Sequence, residues 1–129
     1  MTLEGEGKAE EAKAAFQQAW EMAENSLEKS VAAHYLARHQ SSVVEKLKWD
    51  LLALKYGKEA GTPEILPSLF LNAGKCFEDL AEPLKAKLYY EEGLFMADSL
   101  PDDGYGRWVQ KGLESGLSRL SEKNTSLSA

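Results

Sequence analysis

The chain has 129 residues, of which 43% are hydrophobic, enough to enclose a core without disulfides or a structural metal. Its 21 acidic side chains exceed its 15 basic ones, and the resulting net charge of −6 disfavours phosphate backbones and anionic membranes as direct partners. A single cysteine, Cys76, forms no internal disulfide. The opening MTLEGEGKAEEAK has no apolar run resembling a secretion signal, and charges interrupt every hydrophobic segment, so the expectation is a cytoplasmic protein without a membrane span.

Proline and glycine gather near GKEAGTP, AEP and LPDDGYG, and the stretches between them carry helical periodicity. From Lys8 to Asn25, Ala12, Ala15, Phe16, Ala19, Met22 and Ala23 recur at spacings of three and four, which predicts a first helix with one apolar face. A second covers about Leu27 to Gln40. A third follows Ser42, whose hydroxyl with Glu45 makes a capping box, and is expected to end at Gly57. Thr62 and Pro63 open a fourth that reaches about Leu80, with an irregular first turn because Pro67 cannot donate a backbone hydrogen bond. Pro83 opens a fifth to about Ser99. The sixth spans Gly104 to Ser121 with Tyr105, Trp108, Val109, Leu113 and Leu117 as its apolar stripe, and residues 122–129 read as a disordered tail. The expected architecture is all-α, a single domain over residues 1–121.

Short antiparallel helices of similar length invite a test for internal repeats, because one hairpin cannot bury its apolar face alone. The segments AEEAKAAFQQAWEMA, VEKLKWDLLALKYG and PLKAKLYYEEGLFMA align without gaps when Ala19, Ala53 and Gly93 are superposed, at offsets of 34 and 40 residues. The first offset is the tetratricopeptide period, and an insertion of about five or six residues near Gly57–Pro63 explains the second. The segment LFLNAGKCFEDLAEPLKAKLYYEEGL resembles the tetratricopeptide-repeat family most closely. Phe70, Ala73, Gly74 and Phe77 fall at its helix-A positions, and Ala86, Tyr90 and Gly93 at its helix-B positions. Ala12, Phe16 and Ala19 match helix B with no helix A before them. The middle unit departs most, with His34 at a small-residue position and Lys46 and Asp50 at the small and aromatic positions, beside Trp49.

The resemblance implies an α-α superhelix of antiparallel hairpins closed by a C-terminal capping helix, and a concave groove that takes a protein or peptide. In the family's register that groove is lined by Tyr35, Arg38 and His39 from the middle unit and by Leu71, Asn72, Lys75, Glu78 and Asp79 from the third. It implies an adaptor rather than an enzyme. The first helix, lacking a helix A to cover it, implies a homodimer through that face, and a structural self-association module is the alternative function.

A hydrolase or transferase has only His39, Asp50 and Cys76 to draw on, in no recognisable array. His34 and His39 are five residues apart, which turns them roughly 140° from each other on a helix, so they do not make a metal-binding pair. The glycines of PDDGYG form a turn, not a phosphate loop, since no Lys-Ser or Lys-Thr pair follows them. No cofactor fingerprint and no metal-ligand set is present in the sequence.

Overall fold

The computed structural model describes residues 3–128, with side chains described for residues 7–123. Among them lie six α-helices: α1 (Leu3–Met22), α2 (Ser26–Arg38), α3 (Val43–Ala60), α4 (Leu66–Asp79), α5 (Pro83–Ala97) and α6 (Gly104–Ser128). No strand is formed among the described residues, and no helix is long and apolar enough to cross a membrane. The chain gathers into two compact units that divide after Gly61, where a single domain was expected.

The helix boundaries follow from local chemistry. Asn25 caps α2 by accepting from the Glu28 backbone N–H at 2.9 Å, while the Glu28 carboxylate accepts from the Glu24 N–H at 3.1 Å, so two otherwise unpaired donors are satisfied. Ser42 caps α3 through the Glu45 N–H, as the sequence predicts. Gly57 does not stop α3. It is buried inside the helix, which continues to Gly61, where φ of 69° supplies the left-handed turn that ends it. Pro63–Ile65 form a 3-10 turn ahead of α4, the irregular start expected from Pro67. The Asp103 carboxylate accepts from the Gly106 N–H at 2.8 Å and so opens α6, whose backbone runs past the expected end at Ser121 through a stretch with no glycine or proline to stop it.

The first unit is a hairpin of α2 and α3 with α1 laid on it. Ala32, Ala33, Leu36 and Ala37 of α2 are buried, as are Ala53 and Leu54 of α3, and these mostly small side chains let the two backbones approach closely. At that approach the buried Ser30 hydroxyl donates to the Ala53 carbonyl at 2.7 Å. Two aromatics fasten α1. Trp20 meets Trp49 and Tyr56 edge-on, with the Lys29 ammonium 4.4 Å from its ring centre, and Phe16 stacks on Tyr35.

The second unit packs α4, α5 and α6 around Tyr90, which is fully buried. A methyl group added at Gly74 of α4 or at Gly116 of α6 would stand 2.6 Å from the Tyr90 ring, so the ring fills the space those two glycines leave on either side. The arrangement recurs nearby. A Cβ at Gly93 would meet Phe70 and Leu113, and one at Gly112 would meet Leu71. The face that α6 turns inward is therefore Val109, Gly112, Leu113, Gly116 and Leu120. The expected stripe was centred differently: Trp108 is 65% exposed and Tyr105 is exposed as well, because the glycines, which carry no apolar side chain to count, define the contact line.

The turn from α4 to α5 has a matching strain. The Glu82 N–H bonds to the Phe77 carbonyl and the Ala81 N–H to the Glu78 carbonyl, a complete Schellman motif whose left-handed position is held by Ala81 at φ of 58° rather than by glycine.

Two substitutions of opposite sign test this packing by urea denaturation. Gly116→Ala is expected to destabilise the protein by about 1–3 kcal/mol through overpacking against Tyr90, although alanine is the better helix former by about 1 kcal/mol. Ala81→Gly is expected to stabilise it by about 0.5–1 kcal/mol by removing a left-handed alanine. Truncation of Tyr90 or Phe77 to alanine is expected to cost about 3–5 kcal/mol, the usual loss for a buried aromatic, and equal urea midpoints for parent and variants would contradict the assignment of both to the core.

Candidate binding surfaces

The residues that the family resemblance assigns to a groove fall into two sets, one in each unit. In the first unit Tyr35, Arg38 and His39 do come together. Phe16 of α1 joins them, its ring stacked on Tyr35 at 4.8 Å between centroids and on His39 at 5.5 Å, and the Arg38 guanidinium lies 6.0 Å from the Tyr35 ring centre. Tyr35 and Arg38 are exposed, while His39 is half-buried. Phe16 was missed as a member of this cluster, since the sequence placed it only on the packing face of its own helix.

Tyr35 also ends a longer line. Leu27, Val31 and Tyr35 are all exposed, and Arg38 completes the series one turn on, so α2 presents three apolar side chains and a cation within about 80° of its circumference. The inward face of the same helix is the alanine-rich one that meets α3. His34 lies between the two faces, half-buried and edge-on to Tyr35, and its pKa is lowered by burial and by the Arg38 charge, which keeps it neutral at physiological pH.

In the second unit the expected set divides. Leu71 is buried against α6 at Gly112, and Glu78 is drawn into a buried-edge network, so neither belongs to an open wall. The reason is α6, which packs on the stripe of α4 that carries both. Lys75 and Asp79 are exposed, and Asn72 is half-buried beside them.

The Glu78 network joins all three helices of the unit. Its carboxylate accepts the Tyr90 hydroxyl of α5 at 2.7 Å and both Nε and Nη2 of Arg119 of α6 at 2.9 and 3.0 Å, and Lys123 approaches to 3.8 Å. The bidentate hydrogen bonds from Arg119 hold the Glu78 carboxyl below the ordinary carboxylate range, against the opposing effect of its partial burial. Burial and the neighbouring carboxylate raise the Tyr90 phenol well above its usual value, so it remains a donor throughout the accessible pH range. Beside this network a cleft of about 500 Å³ is lined by Leu84, Leu117 and Leu120 together with Lys87 and Lys123.

The side chains suited to chemistry are dispersed. Cys76 and Asp50 are buried in separate units, and among the described residues no three His, Cys, Asp or Glu side chains gather closely enough to hold a metal ion.

Because the Glu78 pKa is depressed in the folded state, the stability it contributes is fully present above the ordinary carboxylate value of about 4.3 and is lost as pH falls through the lower folded value. Glu78→Gln is expected to cost about 1–3 kcal/mol near pH 7, toward the lower end because Arg119 is 44% exposed. Melts of parent and variant between pH 7 and pH 2.5 are expected to converge as the acid limit is approached. A constant difference across that range would show that the Glu78 charge is not linked to folding.

No protein-family model, no curated protein and no solved structure matches the chain.

Proposed function

We propose that the chain is a non-catalytic adaptor that binds a protein or peptide through helical hairpins of the tetratricopeptide kind. The observation that carries this reading is the line Leu27, Val31, Tyr35 and Arg38 on α2, where apolar side chains one turn apart stay partly exposed, Tyr35 with Phe16 stacked on it, and end at an exposed guanidinium. Apolar anchors with an aromatic and an arginine are the composition of interface hot spots. Such a surface suits a peptide with apolar residues one helical turn apart and a carboxylate near Arg38. The tetratricopeptide kinship is supported by the second unit, where Phe70, Ala73, Gly74, Phe77, Ala86, Tyr90 and Gly93, the positions that carry the resemblance, are all buried. The net charge of −6 favours a polypeptide over nucleic acid or an anionic membrane, and a cytoplasmic setting fits the single buried thiol.

The test is a selection of peptides from a displayed library followed by titration of the recovered sequence against variants. Arg38→Ala and Tyr35→Ala are each expected to weaken binding about thirtyfold, the equivalent of about 2 kcal/mol. Arg38→Ala is expected to leave the fold intact, because the side chain is exposed. Tyr35→Ala also removes the Phe16 stack and lowers the melting temperature, so Val31→Asp serves as a second probe of the same line. Selected peptides that bind all three variants as tightly as the parent would place the site elsewhere.

A further inference from the structure

The outward face of α5 is the most apolar uncovered surface of the second unit. Leu84 and Phe95 are each 79% exposed and Leu88 is 61% exposed, and at 3.6 residues per turn the three lie within about 40° of one another. The charges that flank them are arranged by sign along the helix. Lys85 and Lys87 stand in its N-terminal half and Glu91 and Glu92 in its C-terminal half, all exposed. Lys87 and Glu91 border one side of the apolar line, and Lys85 and Glu92 border the other. Among the described residues the only ion pair these four make is the exposed contact of Lys85 with Glu82 at 3.6 Å.

From this pattern we infer that α5 is a homodimer interface in which two copies pair antiparallel about a two-fold axis near Tyr89. A two-fold axis across the pair keeps each flank of one helix against the same flank of the other while reversing its direction. One flank then brings Lys87 of one copy to Glu91 of the second, and the other brings Lys85 to Glu92, each occurring twice. The same centre sets Leu84 opposite Phe95 of the second copy and Leu88 near its own counterpart. Leu84 also lines the cleft beside α6, so the aromatic ring arrives at the edge of that cleft. Parallel pairing fails on the same residues, because it places lysine on lysine and glutamate on glutamate.

The first helix is the weaker candidate for self-association. Its exposed Ala15, Ala19 and Met22 offer little area and no charge pattern that complements itself. The α5 pairing does not depend on the peptide-binding reading and fails or stands separately from it.

One helix face is a small interface, at the low end of stable association, so the dimer is expected to dissociate in the micromolar range. Sedimentation velocity from about 1 to 500 μM reads it, in that concentration range. The parent is expected to pass from monomer to dimer across the series. Lys85→Glu with Lys87→Glu makes an acidic face, and Glu91→Lys with Glu92→Lys makes a basic one, and each double variant alone is expected to stay monomeric with unchanged circular dichroism. Mixed in equal amounts, the two are expected to form a heterodimer, and the chain carrying all four changes to self-associate as the parent does. Leu88→Asp is expected to abolish pairing in every background. A parent monomeric at the highest concentration would overturn the inference, as would a dimer that survives Leu88→Asp and both charge reversals, and a dimer lost instead on Met22→Asp would assign the contact to α1.

Discussion

The second unit depends on one side chain in one gap. Tyr90 is large, wholly buried and flanked by Gly74 and Gly116, positions where a single methyl would collide with its ring. Glycine inside a helix costs about 1 kcal/mol relative to alanine, so two at these sites weaken α4 and α6 as isolated helices. The loss is offset by the close approach they permit, which buries the aromatic ring against both helices and carries its hydroxyl to the edge of the core. There it meets the Glu78 carboxylate, which Arg119 already holds. Helix spacing, aromatic burial and the polar network are thus one arrangement: widen the gap and the hydroxyl no longer reaches its acceptor, remove the acceptor and a buried phenol is left unpaired.

That dependence explains which features could be read in advance. The starts of α3 and α5 were legible because their causes are local, Ser42 and Glu45 three residues apart and Pro83 at the first helical position, whereas α1 begins at Leu3, before the expected Lys8. The packing of α4 on α5 was legible because small and aromatic residues recur at fixed spacing from Phe70 to Gly93. The inward face of α6 was not, since Gly112 and Gly116 contribute by what they lack, and an apolar count passes over them in favour of Trp108. Nor was the pairing of Glu78 with Arg119, which joins residues 41 apart through a helix whose rotation was misassigned. Once α6 is turned correctly, Leu71 and Glu78 leave the candidate site together. The α3 boundary erred for a related reason, in that Gly57 and Gly61 look alike in sequence while only the second adopts a left-handed φ.

The first unit solves its packing differently. Alanines rather than glycines separate α2 from α3, and the hairpin admits the polar Ser30 and Asp50 to its interior. The serine is satisfied by a backbone carbonyl, which costs little, because a short hydroxyl reaches the facing helix only when the backbones are close. Asp50 is buried as well, and its neighbour Trp49 receives Trp20 of α1 edge-on. From outside the hairpin, α1 sets Phe16 on Tyr35 of α2 and Trp20 on Trp49 and Tyr56 of α3.

The exposed apolar lines on α2 and α5 differ in symmetry. The α2 line runs from leucine to arginine, a directional sequence of side chains that is not complementary to its own reverse. The α5 line carries opposite charges at its two ends and is complementary to its own reverse. If two chains pair through α5 as inferred, each pair carries two α2 lines. A partner bearing two recognition segments then binds the second at an effective concentration set by the span between them, and apparent affinity rises by orders of magnitude with no new contact at α2. Under the inferred pairing, a weak α5 contact would make that gain depend on the concentration of the chain.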